Sequence, residues 1–161
     1  MLRRFLPQFL VRAYHRCSAV AADVLYGRPS RRLIVIGVTG TNGKTTVSHF
    51  LTAILEAAGK RVGLISTIAI QVGGQMRVNE TKMTSLKNCW QIQKLLRQMV
   101  SHGDEYAIIE TTSHALDQYR VHRVWYDVAV VTNVTHEHLD YHKTIDAYRK
   151  AKERLFRMVA M

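Results

Sequence analysis

Leu33-Ile34-Val35-Ile36-Gly37-Val38-Thr39-Gly40-Thr41-Asn42-Gly43-Lys44-Thr45-Thr46 is a β-branched apolar run that passes without a spacer into a glycine-rich polar loop. The run Leu33–Val38 is too short for a helix and reads as a buried strand. Beyond the loop, Val47, Phe50, Leu51, Ile54, Leu55 and Ala58 keep one helical face apolar, and Gly59 supplies a left-handed stop. Strand, loop and helix in this order suit a phosphate chain. The glycines let backbone N–H groups turn inward, Lys44 reaches terminal oxygens, and Thr45 sets a hydroxyl on Mg²⁺. The strict pattern G-x-x-x-x-G-K-[ST] is missed by one place, because Val38 stands where the first glycine belongs. Glycine-rich strand-to-helix turns are common for packing reasons alone, yet packing does not account for Gly43-Lys44-Thr45-Thr46 at this junction.

Working outward, Arg61–Thr67 reads as a second strand and Ile68–Val78 as a hairpin around Gly73-Gly74. Ile92, Leu95, Leu96 and Met99 mark a helix ending near Gly103, and Tyr106–Glu110 is a third core strand. A short helix around Ser113–Tyr119, a strand Asp127–Val131, a polar loop through His142 and a helix Ile145–Met158 complete the series. Such alternation predicts an α/β fold, a P-loop-type parallel sheet with helices on both faces. Ligands in these sheets lie beyond the carboxyl ends of the strands, where three polar clusters fall.

The chain of 161 residues, 47% of them hydrophobic, is long enough for one domain with a core. Its formal charge of +11 is uneven: residues 1–32 hold seven Arg against the single acid Asp23. Anionic partners are favoured, but no nucleic-acid motif accompanies the charge, so nucleic acid is not expected. Cys17 and Cys89 have no C-x-x-C spacing, which fits a reducing cytoplasm better than a disulfide framework. Arg12, His15, Arg16 and Asp23 interrupt the N-terminal apolar run, so no spanning helix is expected. Apolar positions in residues 2–25 recur at three- and four-residue spacing, predicting an amphipathic helix after Pro7. It suits packing against the rest of a protein, peripheral contact with an anionic membrane surface, or a targeting peptide. The expected organisation is a basic arm, 1–32, and a nucleotide-binding domain, 33–161.

Glu110, at a strand end and followed by Thr111, Thr112, Ser113 and His114, suits an Mg²⁺ ligand, although strand-end acids are often merely solvated. Thr135-His136-Glu137-His138-Leu139-Asp140-Tyr141-His142 supports two metal readings. His136, His138 and Asp140 begin the zinc-hydrolase pattern H-x-H-x-D-H, but Tyr141 displaces the last His to 142. Alternatively, His138, Glu110 and the loop hydroxyls share one magnesium-nucleotide site, which accounts for all three clusters.

From Val38 to Phe156 the sequence resembles the central ATPase domain of the Mur ligases, closest to the MurE type. The residues carrying the likeness are Gly40–Thr46, Lys82-Met83-Thr84, Glu110–Gln118, Thr132–Thr135, His138–His142 and Ala151–Phe156. The resemblance implies ATP and Mg²⁺, with Gly40, Thr41, Asn42, Gly43, Lys44, Thr45, Thr46 and Asn133 at the nucleotide. It implies Thr45, Glu110, His138 and a carbamylated Lys152 at the metal, and Lys44, Lys152 and His138 in catalysis. Thr84, Ser85, Thr112 and Ser113 would meet the substrate. By spacing alone, Lys152 is one more cation on a basic helix face with Lys150 and Arg154.

The implied reaction joins a UDP-N-acetylmuramoyl-peptide carboxylate to an amino acid through an acyl phosphate, in peptidoglycan synthesis at the cytoplasmic side of the membrane. Thr84-Ser85-Leu86-Lys87 replaces the Thr-Thr-Pro and acid usual there, and Glu137 replaces an Asp. Family enzymes also carry an N-terminal substrate domain and a C-terminal domain that completes the site. The chain therefore reads as an incomplete central domain with an uncovered sheet edge, and a nucleotide-binding fragment without ligase activity is the alternative.

Overall fold

The computed structural model describes residues 8–80, 88–135 and 139–159. A six-stranded sheet runs in the order β4-β3-β2-β5-β1-β6, built from β1 (Ile34–Thr39), β2 (Val62–Ile65), β3 (Ala69–Val72), β4 (Gln75–Val78), β5 (Tyr106–Glu110) and β6 (Val128–Val131). The four strands from β2 to β6 pair in parallel, with Val38 opposite Glu110 and Thr39 opposite Val131. The expected hairpin adds β3 and β4 antiparallel on the β2 edge.

Helices cover both faces, as expected, but unequally. Ile36, Val38, Leu64 and Ile108 pack under Val47, Leu51 and Leu55 of α2 (Lys44–Ala57). On the other face Val35, Ile65, Ala107 and Ile109 pack with Ile92, Leu96 and Met99 of α3 (Cys89–His102), with Leu116 of α4 (Ser113–Asp117) and with Leu155. Leu155 lies on α6 (Ile145–Val159), the last described helix. The period-two alternation of β1 thus divides its side chains between two separate cores.

The second strand is shorter than Arg61–Thr67. Ser66 N–H and Oγ–H both donate to the Ala69 carbonyl, and Ala69 N–H donates back to Ser66 Oγ, closing a turn where the strand was expected to continue. The loop expected through His142 contains a one-turn helix, α5 (Leu139–His142).

The amphipathic helix forms as α1 (Gln8–Leu25) and docks on α3. Buried Ala19 and Ala22 meet Cys89, Ser18 Oγ lies 3.4 Å from Cys89 Sγ, and Trp90 Nε1–H donates to Ser18 Oγ at 2.8 Å. Asp23, itself buried, pairs with Arg123 at 3.4 Å. No helix among the described residues is long and apolar enough to cross a membrane.

Candidate functional site

The site begins with backbone geometry that favours glycine. Gly40 sits at φ 152°, where an added Cβ would collide with Thr132 Oγ1, and Gly43 at φ 79° opens α2. Gly43 has no side chain to cap α2, and a helix N-terminus leaves its first-turn N–H groups for other acceptors. Lys44 Nζ donates to the Thr41 carbonyl at 2.7 Å, which holds the ammonium over the loop.

The segment after β6 supports the loop from below. Thr41 N–H donates to the Asn133 carbonyl at 2.9 Å. The Asn133 amide makes a reciprocal pair with the Asn42 backbone, accepting from its N–H at 2.9 Å and donating to its carbonyl at 3.1 Å. Asn133, expected at the nucleotide, therefore uses both amide atoms to shape the loop. Thr132 Oγ1 adds a 2.6 Å bond to the Asn42 carbonyl.

Glu110, 3% exposed at the end of β5, is brought to the loop by its register opposite Val38. Its Oε2 accepts from Thr45 Oγ1 at 3.0 Å and from Thr67 N–H at 2.8 Å. A buried carboxylate demands such partners. Thr45 and Glu110 together present hard oxygen donors of the kind Mg²⁺ takes.

Lys152 departs from the surface position its spacing suggested. It is 3% exposed, and its Nζ donates to the Gly40 carbonyl at 2.6 Å beneath the loop. One turn earlier, fully buried Tyr148 shares a 3.0 Å hydrogen bond with Thr41 Oγ1, and its ring lies 4.5 Å from Lys152 Nζ. Thr41 Oγ1 also accepts from Thr135 N–H at 2.9 Å. Tyr148 had a sequence signal, since i and i+4 share a helix face with Lys152. Thr67 had none, because it acts through its backbone.

Thr112 caps α4 by accepting from Ala115 N–H at 3.2 Å, and Ser113 Oγ pairs with His142 Nε2 at 3.0 Å, both buried. These hydrogen bonds give the two expected substrate contacts structural partners. His142, the residue displaced from the hydrolase pattern, is thus engaged away from Asp140, which is exposed. Thr84, Ser85, His136 and His138 lie outside the described residues. Nearby, burial drives the Tyr126 phenol far above its ordinary pKa, an effect opposed by its 3.2 Å hydrogen bond with Thr111.

The model of the Mur ligase middle domain matches residues 38–161. A UDP-N-acetylmuramoyl-L-alanyl-D-glutamate--2,6-diaminopimelate ligase from Geobacillus thermodenitrificans is 45% identical over 153 residues, covering 94% of this chain and 30% of that protein. A UDP-N-acetylmuramyl-tripeptide synthetase from Roseiflexus sp. is 44% identical over 144 residues, covering 88% of this chain and 28% of that protein. The chain thus spans about 30% of the length of the curated relatives it matches. A solved UDP-N-acetylmuramoyl-L-alanyl-D-glutamate--2,6-diaminopimelate ligase superposes with TM-score 0.73 at 28% identity, over 98% of this chain and 31% of that one. MurF from Acinetobacter baumannii gives TM-score 0.61 at 22% identity, over 88% and 28%, a likeness of fold.

Proposed function

The chain belongs to the Mur ligase family, matching its middle domain, and on that premise we propose that it forms the ATP-binding part of a ligase. That ligase joins the carboxylate of a UDP-N-acetylmuramoyl-peptide to the amine of an amino acid, with 2,6-diaminopimelate suggested by the relatives' names. The observation that carries the reading is the convergence of Lys44, Thr45, Glu110 and Lys152 on one loop at the carboxyl end of the sheet.

In this reading the first-turn N–H groups of α2 and Lys44 hold the ATP phosphates, and Thr45 with Glu110 would hold Mg²⁺. His138 and a carbamylated Lys152 complete the metal set. Bound Mg²⁺ supplies charge neutralisation for phosphoryl transfer to the substrate carboxylate, giving the acyl phosphate that the amino-acid amine then attacks. The protein's own work is positioning. Thr67 N–H fixes Glu110, Tyr148 and Thr135 fix Thr41, and Asn133 fixes Asn42. Thr84, Ser85, Thr112 and Ser113 meet the muramoyl substrate.

The protein acts in the cytoplasm. Exposed Tyr14, Val20, Val24 and Leu25 on α1, beside exposed Arg16 and Arg28, suit contact with the inner membrane face. The family match replaces the zinc-hydrolase alternative.

Calorimetry of Mg²⁺-ATP against this chain and Lys44→Ala tests the reading. Binding that the substitution abolishes supports it, and a folded chain with no nucleotide affinity overturns it. Binding without phosphate release when UDP-N-acetylmuramoyl-L-alanyl-D-glutamate and diaminopimelate are supplied would leave a nucleotide-binding module.

A further inference from the structure

Thr39 carries a hydroxyl that its described surroundings leave unanswered. The residue is fully buried at the carboxyl end of β1, and Oγ1 has no hydrogen-bond partner among the described residues. An unpaired buried hydroxyl is costly and calls for an explanation such as a ligand or modification that completes it.

Alternation along β1 fixes the face on which Thr39 lies. A Cβ at Gly37 would meet Leu155 Cδ1 at 2.8 Å, and Val35 shares a core with Leu155, so residues 35, 37 and 39 face α6. Lys152, three residues before Leu155 on that helix, reaches the carbonyl of Gly40, the residue next to Thr39. Thr39, Lys152 and Tyr148 are all buried, and Lys152 Nζ lies 4.5 Å from the Tyr148 ring; strand alternation places the Thr39 hydroxyl on the face of β1 that α6 covers.

We propose that Thr39 is a positioning residue for a CO₂ adduct on Lys152, its O–H donating to a carbamate oxygen. This rests on the carbamate reading above and supplies a protein donor for that group. The chemistry balances without a further reagent. The Lys152 ammonium gives one proton to water, and the amine lone pair forms an N–C bond to CO₂. One C–O π pair moves onto oxygen, and a second proton leaves nitrogen for solvent, giving an anionic carbamate. A hydroxyl donating to that anion makes a charge-assisted bond, stronger than a neutral one.

The test is ¹³C NMR of the 161-residue chain titrated with ¹³C-bicarbonate, comparing the parent with Lys152→Ala, Thr39→Val and Thr39→Ser. A carbamate resonance absent in Lys152→Ala is expected. Half-loading of Thr39→Val should need about tenfold more CO₂ or beyond, the effect of one hydrogen bond to a charged group. Thr39→Ser should load like the parent. Thermal melting without bicarbonate separates this role from a structural one, because removing an unpaired buried hydroxyl should leave the melting temperature of Thr39→Val equal or higher. Should that variant fail to fold, Thr39→Ala gives the same titration. Equal loading of the parent and the hydroxyl-free variant overturns the role of Thr39 and leaves the carbamate standing. No Lys152-dependent resonance in the parent overturns both.

Discussion

Gly40, by its backbone conformation, and Tyr148, through Thr41, shape the glycine-rich loop, and each yields a sharp expectation. Gly40→Ala introduces a Cβ into the space of Thr132 Oγ1 at a φ of 152°. Backbone strain of this kind costs about 1–3 kcal/mol. The variant should melt lower, and nucleotide affinity should fall even where the fold survives, as calorimetry on the folded fraction would read. Unchanged affinity would mean the loop does not depend on this conformation. Tyr148→Phe keeps the ring beside Lys152 and removes only the hydroxyl on Thr41. One lost hydrogen bond is worth about 1 kcal/mol, so Mg²⁺-ATP binding should weaken roughly fivefold. At this scale Lys44, Thr45 and Glu110 could be singled out from the sequence because their residue types suit phosphate and metal chemistry, and the structure brings them to one loop. Thr67 and the clamping role of Asn133 were not, since the first works through a backbone N–H and the second through a partner 91 residues away.

The docking of α1 is the element whose strength should depend on pH. His122, half-buried between α4 and β6, has its pKa held below the ordinary value of 6.5 by desolvation, with Arg16 and Arg123 adding repulsion and Asp23 opposing. The depressed value means the unfolded chain binds the proton more readily than the folded one, so stability rises with pH through the window just below 6.5. Acidification from neutral pH should therefore lower the melting temperature. Because Arg16 lies on α1 and Asp23 anchors that helix to Arg123, hydrogen exchange in α1 should accelerate first. His122→Gln should flatten this dependence, and an unaltered profile would assign it to other groups. The amphipathic spacing foretold the helix. Its docking on α3 depends on small Ala19 and Ala22 meeting Cys89, a complementarity that periodicity does not reveal.

Across the whole molecule, β6 pairs with β1 alone among the described residues, and Val128 and Val131 on it are exposed, as are Ile34, Val134 and Phe156. A bare apolar edge is a template for association. Val131→Lys should reduce concentration-dependent self-association in light scattering while changing stability by no more than about 0.5 kcal/mol; unchanged association would locate the contact elsewhere. The sequence by itself determined the α/β alternation, the glycine-rich strand-to-helix loop and the position of Glu110 at a strand end, because strand period, helix period and glycine conformation are local properties of a chain. Only the tertiary structure decided that Lys152 is buried with its Nζ on the Gly40 carbonyl and that Thr39 is buried at the end of the strand that α6 packs against. Those facts depend on which face of β1 receives α6, a packing relation between segments 112 residues apart that no local pattern encodes.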